Sequence, residues 1–97
     1  MVFRCSACGR EFESGATIVD GVVLCPDCAR KLDDIIDNCV YEQVVKMVNG
    51  EKMDIDSCIE RHSDEIKRLG LRPARVKLIV LSHVLRHVPL VRGAQGV

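Results

Sequence analysis

Ninety-seven residues carrying fourteen basic and fourteen acidic side chains, a formal net charge of zero, describe one compact domain or two very small ones. The longest uncharged apolar run, residues 78–85, falls well short of the roughly 20 residues a membrane span needs, and no basic start followed by an apolar stretch marks an export signal. A reducing, cytoplasmic setting is therefore expected for the six cysteines, and three aromatic residues (Phe3, Phe12 and Tyr41) are too few to build a base-stacking platform for single strands.

The chain opens on Val2 to Arg4 and enters a first C-x-x-C pair, Cys5 and Cys8, followed directly by Gly9, which suits a backbone that turns its N–H groups toward sulfur. Phe12 is placed to cap a small core. Thr17-Ile18-Val19 and Val22-Val23-Leu24 flank Asp20-Gly21, and an Asp-Gly pair between two β-branched runs predicts a two-residue hairpin. A second pair, Cys25 and Cys28, closes the hairpin, with sixteen residues between Cys8 and Cys25. Four thiolates delivered as two such pairs match a tetrahedral Zn²⁺ with every coordination position filled by protein, hence a structural ion, one per chain. Zn²⁺ with four thiolates carries a formal charge of −2, and Arg4, Arg10, Arg30 and Lys31 lie beside the ligands in sequence to offset it. Iron in a rubredoxin-like setting is the second candidate, disfavoured by the short spacer and the lack of an aromatic core, and a redox dithiol is the third.

Pro26 suits a first helical position, apolar residues from Ala29 to Met47 keep helical spacing, and Asn49-Gly50 is a stop signal. Knuckle, hairpin and then a helix carrying the second cysteine pair is the order of a treble-clef zinc finger, and residues 1–48 resemble that family in its LIM-like and zinc-ribbon-like forms. The resemblance implies one zinc held by Cys5, Cys8, Cys25 and Cys28. A single four-cysteine site covers half of a two-zinc LIM domain, so that family's partner-binding does not transfer.

Ser57-x-x-Glu60 has the form of a capping box opening a helix that Gly70 closes after Leu69, with Ile59, His62, Ile66 and Leu69 as its buried stripe. Pro73 restarts a helix, Pro89 is expected to end it near Val88, and Gly93 to Val97 reads as a frayed tail. The expected fold is α+β: a zinc module over residues 1–48 with a long helix, and a helical hairpin over residues 51–92.

Charge is distributed unevenly along this plan. Residues 1–65 hold all fourteen acids and seven bases, a net of −7, while residues 66–97 hold seven bases and no acid. Such asymmetry marks either a basic face that meets a polyanion or two halves that neutralise each other. Residues 64–80 weakly resemble a helix-turn-helix, which would set Arg72, Arg75 and Lys77 against duplex DNA, although two packed helices joined by a glycine turn give the same pattern. The last helix is apolar nearly all round, with Val76, Ile79, Val80 and Val84 on one stripe and Leu78, Leu81, Leu85 and Val88 on another, which predicts a homodimer contact through Leu78, Leu81 and Leu85. Cys58 with His62 and His83 with His87 are spaced one helical turn apart and, with Cys39, could ligate a second metal; their places on or beside apolar stripes favour plain packing. No arrangement of a histidine and a carboxylate around Cys39 or Cys58 suggests a nucleophile, so no enzymatic activity is expected. The sequence thus points to a small zinc-dependent DNA-binding or transcription-associated protein, with a protein-interaction adaptor dimerising through its C-terminal helices as the alternative.

Overall fold

A computed structural model of the chain describes the backbone of residues 1–95 and the side chains of residues 1–87. Two short antiparallel hairpins come first. β1 (Phe3–Arg4) pairs with β2 (Glu11–Phe12), bringing the rings of Phe3 and Phe12 into a stack with centroids 5.5 Å apart. β3 (Thr17–Val19) pairs with β4 (Val22–Leu24) in the register Val19 to Val22, which leaves Asp20 and Gly21 as the two loop residues. Both have positive φ, +52° and +79°, as a type I′ turn requires; this turn matches the twist of the flanking strands, and the Asp-Gly pair tolerates it.

α1 (Pro26–Val48) follows at once. Proline at its first position lacks an N–H that would have had no helical partner, and Leu32, Ile35, Ile36 and Cys39 recur on one buried face. The helix ends at Asn49 and Gly50, where Gly50 (φ +74°) donates to the Met47 carbonyl and Glu51 to that of Lys46. That double closure satisfies carbonyls the last turn would otherwise leave open.

α2 (Ile55–Arg61) starts two residues before the expected capping box. Asp54, not Ser57, is the cap: its carboxylate accepts from the Ser57 N–H at 3.2 Å and the Ser57 hydroxyl at 2.6 Å. What arbitrates is tertiary. The fully buried Gln43 of α1 accepts from the Asp54 N–H at 2.7 Å and donates to the Asp54 carbonyl at 3.2 Å, pinning that residue just ahead of the helix. The single helix expected up to Leu69 is divided at His62, whose backbone (φ −103°, ψ 6°) leaves helical values before α3 (Ser63–Arg68) begins. Gly70 (φ +81°) and Leu71 then close α3 by donating to the Lys67 and Ile66 carbonyls.

α4 (Pro73–Gln95) packs lengthwise on α1 and also covers α2 and α3. It runs past Pro89, where the sequence placed its end. Proline's fixed φ is itself helical, so the helix can continue through Pro89 at the cost of one backbone hydrogen bond. The Val88 side chain and residues 96–97 of the expected tail lie outside the described residues. The buried residues form one continuous cluster from Cys5 through Leu24, Ile35, Ile59 and Ile66 to Val84, so the hairpins and the helices share a core. The fold is α+β. Cys39 of α1 and Cys58 of α2, read from the sequence as packing residues, are joined by a disulfide across a Cα separation of 5.7 Å, a distance set by how the two helices cross. Among the described residues no helix is long and apolar enough to cross a membrane.

Candidate metal centre

The first cysteine pair is shaped by its own backbone. Cys5 N–H donates to the Arg10 carbonyl at 2.8 Å and Gly9 N–H to the Cys5 carbonyl at 2.9 Å, folding residues 5–10 into a tight knuckle that needs the left-handed Gly9 (φ +76°). The second pair is shaped by a helix. Cys25 is the N-cap of α1 and Cys28 lies in its first turn, at the positive end of the helix dipole, where sulfur can carry negative charge at less cost. The two are tied together by Ser6, whose N–H donates to the Val23 carbonyl at 2.8 Å while its hydroxyl accepts from the Val23 N–H at 3.4 Å. Arg10 adds an ion pair at 2.7 Å to Asp27 in the same first turn. Neither Ser6 nor Asp27 stood out in the sequence, because their work depends on where the hairpin returns the chain.

The outcome is a cluster in which the sulfurs of Cys5, Cys8, Cys25 and Cys28 all lie within 4.8 Å of one another, with no disulfide among them. A tetrahedral ion bonded to sulfur at about 2.3 Å implies sulfur-to-sulfur edges of about 3.8 Å. The Cys8 to Cys25 edge is 3.8 Å. The donor set thus fits a metal ion of that size in both chemistry and spacing. Electrostatics agree with the geometry. Burial acts to raise the Cys5 pKa, but the backbone N–H groups of Cys25, Cys8 and Ala7 aimed at its sulfur outweigh it and bring the pKa to about 6. Cys28 is pushed up to about 12, first by burial and then by the crowding of Cys5, Cys25 and Cys8. One thiolate is welcome in this pocket and a second beside it is not, unless a cation sits among them. Cys8 is the exposed member and opens onto a cleft of about 370 Å³ shared with Ala7, Cys28, Lys31, Arg68 and Leu69.

The remaining residues singled out by the sequence are dispersed. Arg72 is paired with Asp20 of the β3–β4 turn at 2.8 Å, and Lys77 with Asp56 of α2 at 2.6 Å. Arg75 is exposed beside the first pair and helps Arg72 hold the Asp20 carboxyl below its usual range; the hydrogen bond from Arg72 is the main cause. Leu78 and Leu85 are 55% and 56% exposed and Leu81 is half-buried, while Val76, Val80 and Val84 on the other side of α4 are sealed. Cys39, Cys58 and His62 come within 4.8 Å of one another; His83 and His87 are not part of that group, and His87 instead lines a shallow groove with Val40, Tyr41 and Val44.

The site is a four-cysteine cluster consistent with a zinc knuckle, carried by two hairpins and the start of a long helix, and it could hold a metal ion. No family model matches the chain, and no curated protein or solved structure matches it.

Proposed function

We propose that the four-cysteine cluster is a structural Zn²⁺ site of a treble-clef-like module, and that the chain is a non-enzymatic adaptor whose α4 outer stripe joins two copies. Zinc suits the site because it imposes no geometry of its own on four thiolates, and four protein ligands leave no position for a substrate. The single observation that carries the adaptor is the stripe Leu78, Leu81 and Leu85. These residues recur at i, i+3 and i+7 on a helix whose opposite face is already sealed; Leu81 packs partly on the core, while Leu78 and Leu85 stay exposed with no apolar cover among the described residues. A C2 contact of two such stripes buries each against its own copy.

A second reading, a transcription-associated protein on duplex DNA, is favoured by Lys67, Arg68 and Arg75, which are exposed on either side of the Gly70 turn in the helix-turn-helix-like segment. It ranks behind the adaptor because Arg72 and Lys77 are engaged with Asp20 and Asp56. The deciding experiment is native mass and sedimentation of the zinc-loaded protein beside a Leu78→Glu/Leu85→Glu variant, with duplex binding followed across a salt series. A parent dimer that the variant reduces to a folded monomer supports the adaptor. A monomeric parent whose DNA affinity falls steeply with salt transfers the conclusion to DNA.

A further inference from the structure

Outside the four-cysteine cluster, the described residues include one other set of thiophilic ligands, at the crossing of α1 and α2. Cys39 and Cys58 are 0% and 1% exposed, and His62, one turn beyond Cys58, is half-buried, with the three ligand atoms within 4.8 Å of one another. The backbone around them is held independently of the cysteines. Gln43 grips Asp54 through both amide atoms, Asp54 caps α2, and Arg61 at the far end of α2 pairs with Glu42 of α1. Opening the disulfide therefore leaves the two thiols and the imidazole facing one point.

We propose that Cys39, Cys58 and His62 form a second metal site, distinct from the four-cysteine centre, that takes a divalent thiophilic ion of the zinc class when its thiols are reduced and releases it when they close to the disulfide. Charge selects the ion. Two thiolates, a neutral imidazole and a dication sum to zero, which is the state a buried apolar surround tolerates without a counter-charge; a monovalent ion would leave a net negative charge in the core. Softness selects it too, since thiolate with imidazole is a donor set for zinc rather than for magnesium or calcium. Three protein ligands leave a fourth position for water, and of the three side chains His62 is the one that reaches solvent. The open position distinguishes this site from the four-cysteine centre and makes it the exchangeable one. In the oxidative step a hydroperoxide takes two electrons from the two thiolates. The sulfur-to-sulfur bond forms, the O–O bond breaks, two protons from solvent complete two waters from hydrogen peroxide, and the ion leaves with its imidazole ligand freed.

The test is zinc stoichiometry on the full chain, measured by elemental analysis after equilibration with Zn²⁺ alone and removal of excess. With reductant present throughout, the parent is expected to retain two zinc ions per chain; after mild peroxide treatment it retains one, with the Cys39–Cys58 disulfide found by peptide mapping. Cys39→Ser under reductant is expected to retain one. His62→Ala, at a half-buried position that does not threaten folding, is expected to loosen the second zinc roughly tenfold or more, since even an outer-shell partner is worth that much. A reduced parent that releases no zinc on peroxide treatment overturns the proposal, as does an undiminished peroxide-releasable zinc in His62→Ala. Should Cys39→Ser lose its helical signal, the parent and His62→Ala still decide. Failure of the four-cysteine assignment is recognisable separately, because the peroxide-treated parent would then hold no zinc.

Discussion

Replacing Gln43 by Met removes both hydrogen bonds to Asp54 while preserving side-chain length and filling the same buried volume. Each bond of this kind contributes about 1 kcal/mol net, so the pair sets a loss of about 2 kcal/mol. The larger penalties of fully sealed groups do not apply, because Asp54 is exposed and its bonds to Gln43 are only partly buried. For a chain of this size that loss lowers the melting temperature by roughly 10 °C. The assay is urea unfolding of parent and Gln43→Met, both metal-loaded and both with the Cys39–Cys58 disulfide intact, with amide hydrogen exchange as the local readout. Exchange at Asp54 and Ser57 should accelerate more than at the β3–β4 hairpin, because the clamp positions the cap of α2 and nothing in the metal knuckles. A variant within about 0.5 kcal/mol of the parent would refute the reasoning, since surface-like changes fall in that range and a clamp does not.

Cys25→Ser removes a proposed metal ligand while keeping a residue well suited to the helix N-cap, and because structural zinc contributes on the order of 10 kcal/mol of folding free energy in small modules, residues 1–28 should lose their dispersed NMR amide signals along with the bound metal. A folded, metal-replete variant would dismiss the assignment. Asp20 has its carboxyl pKa lowered by Arg72, so the pair's contribution to stability is complete above the ordinary carboxylate pKa and fades as the pH falls through the lowered value. Arg72→Ala should accordingly close the gap to the parent as the solution is acidified; both proteins carry the same cysteines, so metal loss cancels in the difference, and a gap that widens toward acid would contradict the sign. Gly70→Ala places a Cβ on a backbone at φ +81° with nothing closer than a Val22 methyl at 3.8 Å, so its cost is conformational, about 1 kcal/mol, and should appear in the urea midpoint without any change in bound metal.

The parts of this fold legible in the sequence were those whose cause is local. Two C-x-x-C pairs place sulfur by spacing alone, Asp20-Gly21 can adopt the positive φ values its turn demands, and the apolar period from Ala29 to Met47 with Asn49-Gly50 after it delimits α1. What was not legible is decided by distant residues. The β1–β2 hairpin has two-residue strands, too short for any alternation, and is announced only by Phe3 meeting Phe12. Ser57 and Asp54 are equally good caps on sequence grounds, and the choice falls to Gln43 from another helix. Cys39 and Cys58 each sit on an apolar stripe, which is the pattern of a packing residue, and nothing in either stripe says that the two stripes meet at the cysteines. At the metal centre the ligands were readable and their support was not, since Ser6 and Asp27 act only after the hairpin has returned the chain to the first knuckle.

The segregation of charge takes on a different meaning once the ion pairs are placed. An acidic first two-thirds and a basic last third would make an external polyanion the natural partner if the basic side chains faced outward together. Instead Arg72 reaches back across the chain to Asp20 in the β3–β4 turn, and Lys77 meets Asp56 in α2, so part of the asymmetry is spent in holding α4 against both the hairpin and the helices before it. Exposed pairs of this sort contribute little stability singly, but opposite signs on the two halves favour a docking of α4 that sets its cations beside the acids of the preceding elements. The same docking turns Val76, Val80 and Val84 inward, and the helix, apolar on both sides, is left with Leu78 and Leu85 in water. Intramolecular neutralisation and the unburied leucines are thus two consequences of one packing decision, and together they direct the search for a partner to an apolar surface before a charged one.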